Sequence, residues 1–308
     1  MRIRHIMANM AKGNGMGKFT VVLTALYHHW NFAMRTMHPL LENMDGIKPY
    51  TIFFKNWKVN YYNPPTRHEL DLFAGIIKDL QPQLVGLSVL SPLASVARTL
   101  TAEIRKASPS TLVIWGGVHP TVSPESCIRE ADMICRGEGE SAIADLVTRL
   151  KEGQSCRDVK NIWLKNGDDI IRNPMRPLIQ DLDSLPFPSY GSDSYFFIDG
   201  DRITTEDLHL KDNRFWIQTS RGCPYACSYC VNSTLRPLFR HIGPLMRRRS
   251  VGSVIGEIKR LLSLPGSSVD HIDICDEVFA HEGIWTNSRN DIGRRSGFHF
   301  MSDTTPKC

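Results

Sequence analysis

The first half of the chain alternates between short apolar runs and stretches with helical spacing. Residues 84–90 and 111–115 are apolar without polar alternation, a pattern typical of parallel strands that are buried on both faces. Shorter runs at 51–54 and 132–136 predict two more strands, and residues 2–8 are a candidate for another. The pattern therefore predicts a sheet with a buried centre.

Apolar residues recur at helical spacing between these runs. Thr66 and Glu69 form a potential capping box at the start of one such stretch, and Pro82 ends it. Gly153 is well placed as the residue that follows the last helix. The predicted helices are residues 18–30, 66–80, 94–107 and a last one that carries Ile143, Leu146, Val147 and Leu150.

Strands alternating with helices predict an α/β fold, an N-terminal doubly wound parallel sheet of the Rossmann-like kind. Ligands of such sheets bind beyond the carboxyl ends of the strands. The loops expected there, 88–95, 116–123 and 137–140, are rich in Gly, Ser, Thr and Pro, which lets the backbone approach a ligand. Each loop alone is typical of an ordinary turn, but three at one edge predict a binding site.

The second half of the chain starts with a predicted hairpin over 161–172, with its turn at Asn166-Gly167. A proline-rich stretch, 173–190, contains acids at Asp181 and Asp183 and is predicted to be a linker. Strand and helix patterns then return. We predict three regions, 1–160, 161–212 and 213–308, the last with strands at 214–219, 269–275 and 298–301 and helices at 253–264 and 282–295.

Two or three strand–helix units cannot close a barrel. The second segment is therefore expected to be an incomplete domain, the first strand–helix units of a partial TIM-type barrel, and the chain to be a C-terminally truncated piece.

Composition adds few constraints. The chain has 308 residues, 42% hydrophobic and 22% charged, with a net charge of +5, which suits a globular protein and does not indicate a nucleic-acid partner. No apolar stretch has the length of a membrane span, and the N-terminus lacks a signal-peptide pattern, so a cytoplasmic location is expected.

The basic run Arg247 to Arg249 is expected to be a solvated face. Contact with an anionic substrate or with the acids of the linker are the alternatives.

Three of the eight cysteines are clustered, at Cys223, Cys227 and Cys230 with the spacing C-x₃-C-x₂-C. Clustered thiols in a reducing compartment indicate a metal or redox site. The scattered cysteines are expected to act as small hydrophobic residues where their surroundings are apolar; they are Cys127, Cys135, Cys156, Cys275 and Cys308.

Four kinds of site are compatible with the three clustered thiols. Structural zinc normally needs four ligands, so Cys275 or a histidine would have to complete the set. A ferredoxin-like carrier also needs four cysteines, and a C-x₂-C redox pair leaves Cys223 unexplained. A [4Fe-4S] cluster with one iron open to an external ligand uses all three.

Residues 219–230, TSRGCPYACSYC, strongly resemble the cluster loop of radical S-adenosylmethionine (radical SAM) enzymes. The resemblance implies a [4Fe-4S] cluster on the three cysteines, S-adenosyl-L-methionine on the open iron, reductive cleavage to a 5′-deoxyadenosyl radical, and an external electron donor of the flavodoxin or ferredoxin type. It places Tyr229 near the cluster or the adenine, with loop packing as the alternative. Asp276 and Glu277 would lie near the methionine amino group, unless they cap a helix.

Residues 85–88, 114–121, 137–140 and 181–188 resemble the cobalamin-binding domain and linker of one subgroup of that family. The Asp-x-His-x-x-Gly signature of a cobalt-ligating histidine is absent, since Pro120-Thr121-Val122 follows His119. His119 is therefore expected to be a loop or corrin-contact residue. The residues implied to contact cobalamin (vitamin B12) are Ser88, Ser91, Gly116, Gly117, His119, Thr121, Gly137, Glu138 and Gly139.

The two resemblances together imply a cobalamin-dependent radical SAM enzyme that acts on a small-molecule substrate. Methyl transfer to an unactivated carbon or phosphorus is the expected reaction. Radical ring formation of the porphyrin cyclase type is the alternative chemistry. A truncated, non-catalytic protein that binds cobalamin and an iron–sulfur cluster is the alternative from a different class.

Overall fold

The structure is a computed structural model that describes residues 18–56, 63–210, 214–265, 269 and 271–278. The chain divides into two compact units. The first comprises Met1–Arg176 and Gly191–Asp207, and the second comprises Pro177–Tyr190 and Leu208–Cys308. The predicted strands at 2–8 and 298–301 and the predicted helix at 282–295 lie outside the described residues.

Nine strands of the described chain form one sheet in the first unit, in the order β7-β6-β5-β4-β3-β1-β2-β8-β9. The six strands from β5 to β8 in this order are parallel, and β6, β7 and β9 are antiparallel additions at the edges. The bounds are β1 Phe19–Leu26, β2 Ile47–Phe54, β3 Leu84–Ser88, β4 Leu112–Gly116, β5 Met133–Cys135, β6 Ile162–Asn166, β7 Asp169–Arg172, β8 Tyr195–Asp199 and β9 Arg202–Thr204.

Helices cover both faces of this sheet. The α2, α3 and α5 helices pack on one face, and α1 and α6 pack together on the other. Their bounds are α1 Phe32–Glu42, α2 Arg67–Leu80, α3 Ala94–Ala107, α4 Val118–Val122, α5 Pro124–Glu130 and α6 Glu140–Lys151. The chain passes from β1 to β2 and then returns across β1 to β3, which is the doubly wound topology that the sequence predicted.

The predicted ends of two helices are confirmed. At α2 the Thr66 hydroxyl accepts a hydrogen bond from the Glu69 backbone N–H, and the Glu69 carboxylate accepts one from the Thr66 backbone N–H. The capping box is therefore present. After α6, Gly153 has a φ of +67°, the left-handed conformation expected of a glycine that ends a helix.

The helix predicted over 18–30 is wrong, because this stretch contains β1. Val22 pairs with Tyr50 on one side and with Val85 on the other, so the strand is central. A strand buried on both faces lacks alternation, and periodicity then cannot distinguish it from a buried helix. The β-branched residues Thr20, Val21, Val22 and Thr24 favour the strand.

Residues 191–207, for which the sequence predicted no strands, return to the sheet as β8 and β9. The Arg35 guanidinium on α1 binds the Asp207 carboxylate through two hydrogen bonds, of 2.7 and 2.9 Å, and both side chains are fully buried. Arg35 also lies 4.5 Å from the ring centre of Phe53. The paired charges hold the end of this segment against α1.

The second unit contains a small core beneath its strands. Strand β10 (Arg214–Ile217) pairs in parallel with β13 (His271–Ile274), and β11 (Ser220–Arg221) pairs antiparallel with β12 (Arg247–Arg248). Two helices follow in the described residues, α7 (Asn232–Phe239) and α8 (Val251–Leu262). Apolar side chains of β10 and α8 form the core, among them Phe215, Ile217, Val254, Ile258 and Leu261.

A buried carboxylate holds three elements of the first unit together. The Lys55 ammonium lies 2.7 Å from both carboxylate oxygens of Glu69, which also accept the backbone N–H groups of Thr66 at 2.8 Å and Gly200 at 3.2 Å. Burial alone would raise the pKa of Glu69, but these hydrogen bonds and the lysine charge hold the pKa below its ordinary value of 4.5.

We expect Glu69→Gln to lower the free energy of unfolding by about 3–5 kcal/mol, because the variant leaves the Lys55 charge buried without its partner. Because the folded pKa is depressed, the contribution of Glu69 is present above pH 4.5 and is lost as the pH falls below it. Urea unfolding at several pH values measures both effects. Asp71→Asn, which removes an exposed partner of Arg67, is the matched control and should change stability little.

Candidate functional site

The loops after β3 and β4 are joined through their backbones at the carboxyl edge of the sheet. The Val89 N–H donates to the Gly116 carbonyl at 2.8 Å, and the His119 N–H donates to the Val89 carbonyl at 3.0 Å. Gly117 lies between them with a φ of +97°, and a Cβ there would lie 3.1 Å from the Val89 oxygen. Only glycine fits this approach without strain.

The side chains of these loops bind one another. The Ser91 hydroxyl lies 3.1 Å from Nδ1 of His119, and the Thr121 hydroxyl donates to the Gly117 carbonyl at 2.8 Å. The Ser88 hydroxyl accepts a hydrogen bond from Nδ2 of Asn31 at 3.1 Å. Sequence reasoning missed Asn31; its only signal is that it precedes α1, where its Oδ1 caps the Met34 amide.

The loop after β5 joins the same edge. The Gly137 N–H, at a residue with a φ of +72°, donates to the Thr121 hydroxyl at 2.9 Å. The Glu138 carbonyl accepts Nδ2 of Asn161 at 2.8 Å, a contact that no sequence signal indicated. A Cβ on Gly139 would lie 3.4 Å from Cε of Met37. The structure therefore brings all nine predicted cobalamin-contact residues to one edge of the sheet.

Burial lowers the pKa of His119 below its ordinary value of 6.5. The imidazole is therefore neutral at neutral pH and retains a nitrogen lone pair for a hydrogen bond or a metal.

The residues at this edge fit a broad, flat organic cofactor. Gly116, Gly117 and Gly137 carry no side chains at this edge, and Leu90 adds an apolar side chain that is 45% exposed. Such a surface accommodates a macrocycle without displacing bulky side chains, and Ser91 and His119 supply polar contacts beside it.

The cysteine loop begins where β11 pairs with β12. Gly222, with a φ of +91°, precedes the first cysteine, and a Cβ there would lie 2.1 Å from the Leu245 carbonyl oxygen. Cys223 is 8% exposed, whereas Cys227 and Cys230 are partly exposed. The Cys230 N–H donates to the Cys227 carbonyl at 3.0 Å, which turns the loop between them.

Among the residues that the structure describes, no group of three or more His, Cys, Asp or Glu side chains is arranged to hold a single metal ion. A structural zinc site requires such convergence. A cubane cluster takes one thiolate per iron, so its ligands need not converge on one atom. Three thiolates can therefore hold three of the four irons of a cubane cluster.

The scattered cysteines of the first unit pack as hydrophobic residues, as predicted. Cys127, Cys135 and Cys156 are each at most 2% exposed. Burial raises the pKa of all three, to about 12 for Cys135 and about 11 for Cys156, so they remain protonated and poor metal ligands. Cys275 is exposed, and Cys308 lies outside the described residues.

Asp276 lies at the carboxyl end of β13, on the edge that delivers the cysteine loop. Its carboxylate accepts the N–H groups of Thr219 at 2.7 Å and Ser220 at 3.0 Å and the Thr219 hydroxyl. Asp276 thus positions the start of the loop, a role that sequence reasoning missed. A carboxylate has about four lone-pair sites, so Asp276 can accept a further hydrogen bond. Its predicted contact to a methionine amino group stays a prediction.

The other two predicted contacts lie nearer the solvent. Glu277 accepts Nδ2 of Asn232 at 2.8 Å, which links β13 to α7. Tyr229 is 85% exposed on the cysteine loop, and its predicted place beside the cluster or the adenine stays a prediction.

The expectation of a solvated face at Arg247 to Arg249 is wrong for two of the three. Arg247 is 8% exposed and donates to the Ile179 carbonyl at 2.8 Å. Arg249 forms a buried ion pair with Glu257 and donates to the Gln218 carbonyl at 3.0 Å. Arg247 thus holds the linker segment, and Arg249 holds α8, near the cysteine loop.

The family model of the B12 binding domain matches residues 51–147. This range contains β3, β4, β5 and the three loops at the carboxyl edge. Residues 51–147 are thus similar to the B12 binding domain.

Relatives of the chain extend the comparison into the second unit. An uncharacterized methyltransferase of Pyrococcus horikoshii is 30% identical over 210 residues, which are 67% of this chain and 42% of that protein. An anaerobic magnesium-protoporphyrin IX monomethyl ester cyclase of Cereibacter sphaeroides is 30% identical over 50% of this chain and 25% of its own. The cobalamin-dependent radical SAM methyltransferase TokK of Streptomyces tokunonensis is 29% identical over 43% and 20%. The chain spans less than half the length of these relatives.

A solved structure has the same fold. The radical S-adenosylmethionine methyltransferase TsrM of Kitasatospora setae superposes with a TM-score of 0.64 and 17% identity, over 90% of this chain and 51% of that protein. The proteins that this chain resembles thus include methyltransferases and a cyclase, and one of the methyltransferases is named as a cobalamin-dependent radical SAM enzyme. The described helices include none with the length and apolar character required to cross a membrane.

We expect Gly117→Ala to weaken hydroxocobalamin binding about tenfold or more, because the new Cβ displaces the loops after β3 and β4. Visible absorbance during titration of the chain measures it. Gly167→Ala is the matched control, since Gly167 also has a positive φ, of +72°, but has open space around it. An equal loss of affinity in both variants would mean that backbone strain, and not the site, is responsible.

We expect Gly222→Ala to lower the iron bound after anaerobic reconstitution about tenfold or more, because the clash with Leu245 displaces the cysteine loop. Iron analysis and the cluster absorbance report this loss. Gly252→Ala on α8, whose nearest neighbour to a Cβ is 3.8 Å away, should retain the wild-type iron content. Normal iron in Gly222→Ala would show that the loop geometry is unimportant for the cluster.

Proposed function

We propose that this protein is a cobalamin-dependent radical SAM enzyme that transfers a methyl group to an unactivated carbon or phosphorus of a small molecule. The observation that carries the proposal is the loop with Cys223, Cys227 and Cys230 at the carboxyl end of a parallel strand, in one chain with a B12-binding domain. The methyltransferases among the relatives support the reaction class.

In this proposal the three thiolates hold the cluster and leave one iron open. Gly222 lets the loop pass against Leu245, and Asp276 binds the backbone at the loop start. These contacts place the thiolates before any metal arrives, which lowers the ordering cost of binding. Bound cofactors would supply the radical chemistry, a 5′-deoxyadenosyl radical from S-adenosyl-L-methionine and a methyl group from cobalamin.

The loops at the carboxyl edge of the first unit hold the corrin in this proposal. Gly116, Gly117 and Gly137, which leave room beside the backbone, and the side chains of Ser91 and His119 are its proposed contacts, and their shared position at this edge supports the proposal. His119 is proposed as a corrin contact, consistent with its place outside an Asp-x-His-x-x-Gly signature. An external electron donor of the flavodoxin or ferredoxin type and a cytoplasmic location belong to the same proposal.

A radical cyclase is the second candidate reaction, since a magnesium-protoporphyrin ester cyclase is among the relatives. Both reactions use the same cofactor residues, and the choice between them belongs to the substrate pocket.

The proposal predicts that the anaerobically reconstituted chain, given dithionite and S-adenosyl-L-methionine, forms 5′-deoxyadenosine. Replacing Cys223, Cys227 or Cys230 with Ser should lower both iron content and product about 100-fold or to background, because each thiolate holds one iron. Cys275→Ser removes an exposed thiol of the same unit and should leave both unchanged. Chromatography of the nucleoside products measures the outcome.

The contrary results separate the alternatives. A chain that binds iron and corrin but forms no 5′-deoxyadenosine is a binding protein and not an enzyme. If the wild-type chain is colourless and contains stoichiometric zinc, and Cys275→Ser loses that zinc, the cysteines form a zinc site and do not hold an iron–sulfur cluster.

A further inference from the structure

Arg248 differs from the two arginines beside it. Arg247 and Arg249 bind carbonyl groups and a carboxylate, but one terminal nitrogen of Arg248, Nη1, is buried and has no hydrogen-bond partner among the described residues. A buried guanidinium nitrogen without an acceptor is costly to the folded protein. Arg248 therefore has donor capacity that the surrounding chain does not use.

Ser220 has the same property, directly opposite Arg248. The register of β11 and β12 pairs the two residues, so both side chains lie on the same face, with Cβ atoms about 5 Å apart. Ser220 is 0% exposed, and its hydroxyl also lacks a partner within the described part of the chain. The two residues that carry these unsatisfied polar atoms are thus cross-strand neighbours.

The pair lies at the entrance to the cysteine loop, because Ser220 precedes Cys223 by three residues. The Asp276 carboxylate binds the Ser220 backbone N–H, which leaves the Ser220 hydroxyl available. Arg221 and Arg247 form the neighbouring cross-strand pair and lie on the opposite face. The two donors are therefore held at a defined place by the strand pair.

We propose that Ser220 and Arg248 form a binding site for an oxyanion, a carboxylate or phosphate group of a small molecule bound beside the cysteine loop. A guanidinium and a hydroxyl match the several lone pairs of an oxyanion, and charge-assisted hydrogen bonds of this kind are the strong ones. The oxyanion is either the carboxylate of S-adenosyl-L-methionine or an acidic group of the substrate. Only this choice of source rests on the proposed function.

The first experiment uses the full, cluster-free chain and inorganic phosphate as the probe, with calorimetric titration. Arg248→Gln and Ser220→Ala should each weaken phosphate binding about tenfold, since each removes a donor to the anion. Arg240→Gln, which removes one charge from an exposed position of the same unit, should have the wild-type affinity. Absence of phosphate binding in the wild type, or equal affinity in Arg248→Gln, would overturn the proposal.

Thermal unfolding separates a ligand site from a structural role. Without ligand, Arg248→Met should unfold at the wild-type temperature or above it, because it removes an unsatisfied buried donor. Arg249→Met should unfold at a lower temperature, since it leaves Glu257 buried without its partner. An equal decrease in both variants would assign Arg248 to the fold and overturn the proposal.

The second titration uses the reconstituted chain to identify the source of the oxyanion. If it is the methionine carboxylate, Arg248→Gln loses affinity for S-adenosyl-L-methionine and not for its decarboxylated analogue. If neither affinity changes, the site takes an acidic group of the substrate. Equal loss for both compounds would mean that Arg248 acts on the cluster, which contradicts the proposal. A wild type that takes up no cluster would refute the proposed function but leave the phosphate result intact.

Discussion

Burial of the parallel strands on both faces is the constraint on which the first unit depends. The central strands have no polar face, so helices must cover both sides of the sheet. Parallel strands in turn need crossover connections, and these bring the loops after β3, β4 and β5 to one edge. The grouping of Ser91, His119, Thr121 and Gly137 is therefore a consequence of the strand order and not of any local motif.

Glycine allows close backbone approach in both units. Gly117 lets the loop after β4 lie against Val89, and Gly222 lets the cysteine loop lie against Leu245. Both have positive φ values, which glycine adopts without the strain that other residues meet. Each candidate cofactor site thus has a glycine where two backbone segments meet, and predicted site residues such as His119 and Cys223 follow it closely.

Charged side chains complete these arrangements by satisfying buried groups. Glu69 and Lys55 join α2 to the ends of β2 and β8, and Arg35 with Asp207 holds the returning segment. Around the cysteine loop, Asp276 and the flanking arginines bind backbone groups that would otherwise be unpaired. Arg248 and Ser220 each keep a buried polar atom without a hydrogen-bond partner among the described residues, and their cross-strand pairing is the basis of the oxyanion site that we propose.

The sequence by itself determined the α/β class, the capping box of α2, the carboxyl-edge loops and the three clustered cysteines, because these depend on local spacing. It could not distinguish β1 from a helix, since a stretch buried on both sides has no informative period. Only the tertiary structure decided that residues 191–207 rejoin the sheet, that Asp276 binds the Thr219 and Ser220 backbone, and that Arg248 lies opposite Ser220. These contacts join residues far apart in the chain, and their partners are set by the register of the strands and not by any nearby residue.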